Sequence, residues 1–454
     1  MEIPILLLFC VIIVLFIVLG YEILYALLIG LALFIMYALI RHYSVKDVVA
    51  MCVDGIKTAR NVLLIFFVIG LLTAFWRASG TIAFIVSYAG TLIRPSIFLL
   101  ITFILTSVVA TLTGTAFGTA ATMGLICATM GSTMQYPPMM IGGAVLSGIF
   151  LGDRSSPLSA STLLVAEITH TDVFKNVKQL VKTAVVPYLL ACLLYGILGL
   201  VVPYQPVTVD LSQIFGQEFH LHWIVLIPAI LVIFLAAFRV SVKKSMLLSV
   251  LSAAIICVFF QGATGKEIIT YIVSGYQAKT PEVSALLNGG GVFSMLYAAV
   301  VVCISSAYSG IFKKTGLLDG IQKSIDSLSK KTTPYCAAML TSILIGVLAC
   351  NQTLNVMLTK QLCERAVPSR QDLAIYLENT AIVISPLVPW SIACTVPLAS
   401  INAPRESVVF AFFLYLVPLC SLVYTSFQHK TTADIPWHHS KRSHHEVFPG
   451  SSTK

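Results

Sequence analysis

Residues 5–20 read ILLLFCVIIVLFIVLG and residues 223–238 read WIVLIPAILVIFLAAF, and runs of this kind decide the fold class. About 20 apolar residues, each rising about 1.5 Å along a helix, cross the hydrocarbon core of a bilayer. Backbone groups in lipid must hydrogen-bond within their own segment, which favours helices, whereas a β-barrel would show alternating segments of about ten residues. The sequence therefore predicts an all-α polytopic membrane protein.

The composition of the whole chain supports the same class. Hydrophobic residues make up 58% of the sequence and charged residues only 10%, whereas about a quarter of the residues in soluble domains are charged. Similar apolar segments recur along the chain, which predicts about 11 to 13 crossing or part-crossing helices. The first apolar run has no preceding Lys or Arg and no small-residue cleavage site, so we expect a retained span rather than a secretion signal. The 11 cysteines are scattered singly, which indicates neither disulfides nor zinc.

Lys and Arg collect in short loops between the apolar segments, which is typical of the cytoplasmic side of an inner membrane. Residues 203–222 contain neither Lys nor Arg, so we expect this segment to face outward. The predicted organisation is a first transmembrane half (1–205), an external linker (206–220), a second half (221–427) and a basic, His-rich tail (428–454), with both termini cytoplasmic. The basic loop residues are Arg41, Lys46, Lys57, Arg60, Lys175, Lys178, Lys182, Arg239, Lys243, Lys244, Lys313, Lys314, Lys323, Lys330 and Lys331.

Two acidic residues stand out because an ionisable side chain at bilayer depth costs at least about 2.5–3.5 kcal/mol. Asp153 ends an apolar run and is followed by several serines, and Glu378 lies within the otherwise apolar stretch 373–387. Carboxylate and hydroxyl oxygens are hard ligands that suit sodium. We therefore predict that Asp153 and Glu378 bind a sodium ion.

A structural interpretation of the same acids remains open. Asp153 could pair with its neighbour Arg154 near the membrane surface, and Glu378 could be neutralised by Arg365 or Arg370. Glu167 is a weaker third candidate for a functional acid.

Glycine, proline and polar residues interrupt the apolar segments near both acids. Such breaks unwind helices and expose carbonyl oxygens that can coordinate a cation. Polar breaks begin at residues 113 and 351, and each is followed by a Ser-Pro-Leu triplet, at 156–158 and 385–387. This recurrence predicts two inverted-topology repeats with broken or re-entrant helices and a site between them. The predicted neutral ligands are Thr113, Thr115, Thr119, Ser156, Ser159, Asn351, Thr353 and Ser385, and the predicted hinge residues are Gly114, Gly118, Pro157, Pro386 and Pro389.

These same stretches resemble a known family. Residues 114–119, residues 142–148 running into 152–159, and a second signature at 378–390 resemble the NhaC family of sodium/proton antiporters, in order over roughly residues 40–425. The resemblance implies a transporter that moves sodium out and protons in. It leaves the cargo open, because members of the family also exchange organic acids with sodium and proton coupling.

The chain departs from that family pattern at three positions. Ala160 stands where the family commonly has an acid, Asn379 where it often has Asp, and Ser391 where Asn is frequent. Two potential negative charges are therefore absent, which could lower sodium affinity, change the proton stoichiometry or mark a branch that carries another solute.

The predicted mechanism is competition between sodium and protons for Asp153 and Glu378, because burial favours a protonated carboxyl and a bound cation favours an ionised one. The alternative is coupled transport of a small organic acid or amino acid, with Arg154 and helix N-termini holding the anion. No His-Glu-x-x-His or Gly-x-Ser-x-Gly motif indicates an enzyme.

The predicted partners are sodium, protons and the lipid bilayer, with no cofactor. A homodimer is compatible with the sequence, but no motif decides the oligomeric state. Nucleic acid is disfavoured because the basic residues are dispersed among loops. The tail histidines at 438, 439, 444 and 445 could bind a metal, although clusters in polar tails are more often incidental.

Overall fold

A computed structural model describes residues 2–19, 21–92, 94–202, 211–238, 240–317, 332–349, 351–367 and 369–433. Within these ranges the chain is helical and forms no strand, apart from one isolated bridge between Tyr276 and Gly289. The helices are α1 (Glu2–Val18), α2 (Ile23–Ile40), α3 (Val45–Thr58), α4 (Arg60–Ala78), α5 (Thr81–Leu92), α6 (Phe98–Thr113), α7 (Ala116–Thr119), α8 (Leu125–Thr133), α9 (Pro138–Ser155), α10 (Ala160–Thr169), α11 (Val173–Val201), α12 (Leu211–Gly216), α13 (Ile227–Ala237), α14 (Val242–Phe259), α15 (Gly265–Val273), α16 (Pro281–Leu287), α17 (Leu296–Thr315), α18 (Pro334–Ala349), α19 (Gln352–Cys363), α20 (Arg370–Leu377), α21 (Ile392–Ser400) and α22 (Phe412–Ala433).

Several of the described helices are long and apolar enough to cross a membrane. By length and composition there are five such spans, and a sixth forms if Arg370–Leu387 and Ile392–Ser400, which are bent by 56°, count as one. The five spans are Ile23–Ile40, Arg60–Ala78, Pro95–Thr113, Val173–Val201 and Val292–Phe312. Shorter apolar helices of 10–17 residues, such as Pro4–Phe16 and Pro334–Ala349, accompany them. The prediction of an all-α polytopic membrane protein is confirmed, while the number of crossings, the two repeats and the division into halves stay predictions.

Buried side chains form two cores, and both draw on residues from before and after the predicted linker. In one core Phe103 and Ile149 lie in the same cluster as Phe413, near the end of the chain. In the other, Phe9 lies in the same cluster as Leu373. The first and last helices thus each contribute to a core that contains residues from the opposite half of the chain.

The close packing of α6 and α9 positions the end of α9. Gly148 and Gly152 lie one turn apart on α9, and a Cβ at either position would overlap the backbone of α6, at Phe103 or at Ala110. Small residues spaced in this way let two helices approach closely in a membrane. Only glycine therefore permits this approach immediately before Asp153.

Outside the apolar spans, Glu218 ties the segment after α12 to the segment before α16. Its carboxylate accepts hydrogen bonds from the Tyr276 hydroxyl (2.7 Å), the Thr280 hydroxyl (2.6 Å) and the Thr280 amide. Part of the predicted external linker (206–220) lies outside the described residues, at 206–210, and so does most of the His-rich tail, at 434–454.

Candidate functional site

The first predicted break is a pair of helix ends. Helix α6 stops at Gly114, whose φ of 65° places it in the left-handed region that favours glycine. Thr115 is extended and caps α7, and its hydroxyl accepts a hydrogen bond from the amide of Gly118 (3.2 Å). The hydroxyls of Thr113 and Thr119 lie 3.1 Å apart. The three predicted threonines therefore do gather in one interrupted segment, and the helix continues from it as a π-helical turn at Ala120–Gly124.

Asp153 lies in the last turn of α9, 7% exposed, and its carboxylate accepts three hydrogen bonds. Oδ1 accepts from the Ser159 hydroxyl (2.9 Å), while Oδ2 accepts from the Ser161 hydroxyl (2.8 Å) and from Gln352 Nε2 (3.0 Å). The chain turns after α9, and Ser159 then caps α10, which brings both hydroxyls back toward the acid. Ser156 accepts instead from the amide of Leu158 (3.3 Å).

The second predicted break repeats the local geometry of the first. Asn351 is extended and caps α19, where its side chain accepts a hydrogen bond from the amide of Leu354 (3.3 Å), as Thr115 does at α7. Gln352 Nε2 donates to Asp153 and also lies 3.4 Å from the carbonyl oxygen of Ile382. Gln352 therefore joins the end of α9 to the segment that follows Glu378.

Gln352 and Asn355 are contact residues that the sequence prediction missed. Asn355 Nδ2 donates to the Ser385 hydroxyl (3.0 Å), and Thr359 donates to Asn355 Oδ1 (3.1 Å). Thr353, which was predicted to bind the ion, is exposed and its side chain forms no hydrogen bond in the described part of the chain. The spacing of three and four residues between Gln352, Asn355 and Thr359 marks one helix face and could have identified them.

Glu378 begins a π-helical turn, Glu378–Ile382, and is completely buried. Among the described residues, neither carboxylate oxygen has a hydrogen-bond partner. Neither Arg365 nor Arg370 pairs with Glu378 within the described ranges, so the structural interpretation of this acid is not what the molecule shows. The charges that act on it through space are those of Arg154 and Asp153. The charge of Asp153 therefore reaches Glu378, although the two acids are distant in sequence.

Arg154 is completely buried and is held by neutral groups rather than by Asp153. Asn379 Oδ1 accepts from both Nε (3.0 Å) and Nη2 (2.5 Å) of Arg154. The remaining contacts are with the hydroxyls of Ser155 (3.2 Å) and Thr183 (2.7 Å) and with the carbonyl of Leu180 (3.2 Å). Asn379, which stands where the family often has Asp, is thus a direct hydrogen-bond partner of Arg154.

The proline-containing segment after Glu378 is a broken helix. Ser385–Leu387 forms a 3₁₀ turn, and the Ser385 hydroxyl donates to the carbonyl of Ala381 (2.7 Å). Ser391 caps the next helix, α21, and its hydroxyl donates to the carbonyl of Ser385 (2.6 Å). Pro386 therefore lies inside the turn and Pro389 between the turn and α21, where the helix is interrupted. Glu167, the weaker candidate, is exposed on α10.

The site offers two different environments for positive charge. Asp153, Ser159 and Ser161 place hard oxygens together, which suits a sodium ion. Glu378 presents a buried carboxyl that receives no hydrogen bond from any described residue, which suits a proton. No group of three or more His, Cys, Asp or Glu side chains suited to a metal ion occurs among the described residues.

Comparison with known proteins places the chain among transporters. A model of the Na+/H+ antiporter family matches residues 2–166 and 148–428. The chain is 31% identical over 365 residues to a malate-2H(+)/Na(+)-lactate antiporter of Bacillus subtilis, with 77% of each chain covered. It is 25% identical over 391 residues to the Na(+)/H(+) antiporter NhaC of Alkalihalophilus pseudofirmus, with 84% of each covered. It is 28% identical over 388 residues to NhaC of Bacillus subtilis, covering 82% of this chain and 85% of that protein.

Proposed function

Because the chain belongs to the Na+/H+ antiporter family, we propose that it exchanges sodium for protons across the cell inner membrane. Membership of this family confirms the resemblance seen in the sequence. The family indicates a transporter rather than an enzyme. The observation that carries the proposal is the pair of buried acids, Asp153 with three hydrogen-bond donors and Glu378 with none among the described residues.

The two acids are suited to different tasks. Donors stabilise an ionised carboxylate and burial without donors destabilises it, so a negative charge is more stable on Asp153 than on Glu378. In this proposal Asp153 receives sodium, with Ser159 and Ser161 turning their hydroxyl oxygens toward the ion. Glu378 holds the proton. Because the charge of Asp153 acts on Glu378, binding of sodium at Asp153 favours loss of the proton from Glu378.

The broken segments supply the movement. Gln352 hydrogen-bonds to Asp153 at the end of α9, and Asn355 hydrogen-bonds to Ser385 in the segment after Glu378. Discontinuous helices in transporters let one bundle move against another around a fixed site. In this proposal these bonds break and re-form as the site opens to either side, with both termini in the cytoplasm.

A second candidate function is exchange of a small organic acid coupled to sodium or protons. It is favoured by Arg154, a fully buried cation whose direct partners are all neutral, since such a group attracts a carboxylate. The similarity to a malate/lactate antiporter supports the same candidate.

The test is sodium-dependent proton movement in everted membrane vesicles, followed with a pH-sensitive dye. Vesicles with the unaltered chain should respond, and both Asp153→Asn and Glu378→Gln should fall to the level of vesicles that lack the protein. Glu167→Gln, which neutralises an exposed acid on α10, is the matched control and should keep the response. Absence of any response from the unaltered chain, together with sodium-dependent uptake of labelled malate or lactate, would favour the second candidate.

A further inference from the structure

A buried arginine that has no partner among the described residues lies away from the two acids. Arg77, in the last turn of α4, is 4% exposed, and its Nε has no hydrogen-bond partner. No hydrogen bond or ion pair of its guanidinium group occurs within the described part of the chain. A charge removed from water costs several kcal/mol unless it is paired, so this group needs an anion.

A glycine segment fixes the position of this arginine. Gly289, Gly290 and Gly291 all have positive φ (123°, 82° and 78°), which is a conformation that side chains disfavour. The amide of Gly291 donates to the carbonyl of Gly70 on α4 (2.8 Å), and a Cβ at Gly289 would lie only 2.7 Å from Arg77 Nη1. The guanidinium group is thus held against a segment that leaves no room for a side chain.

The space beside Arg77 is amphipathic. Arg77 lines a cavity of about 170 Å³ together with Asn402 and with apolar residues that include Leu125, Ile141 and Leu286. The side-chain amide of Asn402 forms no hydrogen bond within the described ranges. The described residues that line the cavity include no Asp or Glu. Thr129, Ser132 and Asn288 line the same cavity. The lining therefore offers a cation, side-chain amides and hydroxyls together with apolar side chains.

We propose that this cavity binds a small monocarboxylate with a short apolar body, its carboxylate on Arg77 and Asn402. The guanidinium fork matches the two oxygens of a planar carboxylate, which a spherical anion such as chloride lacks. The apolar walls contact the alkyl chain, so a four-carbon acid binds more tightly than acetate.

This site is separate from the sodium and proton site, so the inference goes beyond the proposed exchange. Ile141 lines the cavity near the start of α9, whereas Asp153 lies near its end. At about 1.5 Å per residue, these two positions are about 18 Å apart along the helix.

The experiment titrates the purified full chain in detergent with sodium butyrate. Sodium chloride at equal sodium concentration is the reference. Binding is measured by calorimetry and, separately, by the shift in thermal unfolding. Saturable binding of butyrate is expected, weaker for acetate and absent for chloride. Arg77→Gln should weaken it at least tenfold, and Arg77→Lys, which keeps the charge and loses the fork, should weaken it less.

The control is Arg405→Gln, which removes a cation that lies over the ring of Tyr297 (4.8 Å) and should leave butyrate binding unchanged. Asn402→Ala changes an exposed side chain, so it tests the site even if Arg77→Gln does not fold, and it should weaken binding severalfold. The proposal is overturned if the unaltered chain does not bind butyrate or if chloride acts equally. It is also overturned if Asn402→Ala and Arg77→Lys both bind normally, or if Arg154→Gln rather than Arg77→Gln abolishes binding.

Discussion

Gln352 offers a direct test of how the two broken segments are coupled. Its Nε2 donates to Asp153 Oδ2 (3.0 Å) and lies 3.4 Å from the carbonyl oxygen of Ile382. Gln352→Met keeps the length and approximate volume of the side chain but removes the donor. The matched control is Thr353→Val at the next position, where the exposed hydroxyl forms no hydrogen bond within the described residues.

The size of the effect follows from the bond that is lost. A hydrogen bond to a charged group contributes about 1.5–3 kcal/mol, and each 1.4 kcal/mol is about tenfold in an equilibrium constant. The contact with Ile382 is long and adds little. Without the amide, the ionised form of Asp153 is less stable and a proton competes more effectively with sodium. The KM for sodium should therefore rise by about 10- to 150-fold, with a smaller rise at higher pH, where protons compete less.

The assay is proton movement in everted vesicles over a range of sodium concentrations at two pH values, normalised to the amount of folded protein. Thr353→Val should stay within about twofold of the unaltered chain, because no bond is removed. A KM in Gln352→Met that changes by less than about threefold, or an equal change in Thr353→Val, would refute the coupling through Gln352.

Two further predictions concern stability. Gly152→Val places a Cβ into the backbone at Ala110 and should destabilise the protein by about 1–3 kcal/mol, which would lower its melting temperature in detergent. The control is Gly196→Ala, because a Cβ at Gly196 would have no atom within 4 Å. Equal melting temperatures for the two variants would contradict the close packing of α6 and α9. Partial burial opposes ionisation of Glu218, but hydrogen bonds from Thr280, Tyr276 and Lys279 outweigh it and lower the pKa of this carboxyl. Its contribution to stability is therefore present above its unfolded value of about 4.3 and is lost as pH falls through the lower folded value. Acid titration of Glu218→Gln should show a smaller loss of stability in that window, and an identical acid profile would count against this role.

The fold class could be predicted because the bilayer imposes one requirement on every segment, regardless of packing. The breaks could be predicted because glycine at 114 and proline at 386 act on their own backbone. Likewise Ser159 lies only six residues from Asp153, so their contact depends on one local turn.

The rest of the site depends on contacts between distant parts of the chain. Gln352 and Asp153 are 199 residues apart, and no local pattern indicates which side chain of the break at 351–353 faces the acid. The same limit applies to Glu378. The sequence offered nearby Arg365 and Arg370 as its cationic partners, whereas the positive charge that acts on it belongs to Arg154. The π-helical turns at Ala120–Gly124 and Glu378–Ile382 have no comparable sequence signature.

Asn379 connects the charge balance of the site to its departure from the family. Arg154 and Asp153 both act on Glu378 through space. Asn379 bonds to that arginine without adding charge. With both acids ionised, the group lacks one positive charge, which a single sodium ion or a single proton supplies. In a medium of low dielectric, binding both is disfavoured by repulsion between them. We infer a one-for-one exchange that moves no net charge. Asn379→Asp adds a third carboxylate to the group and should make transport sensitive to membrane voltage. An unaltered chain that already generates a voltage in liposomes would contradict this argument.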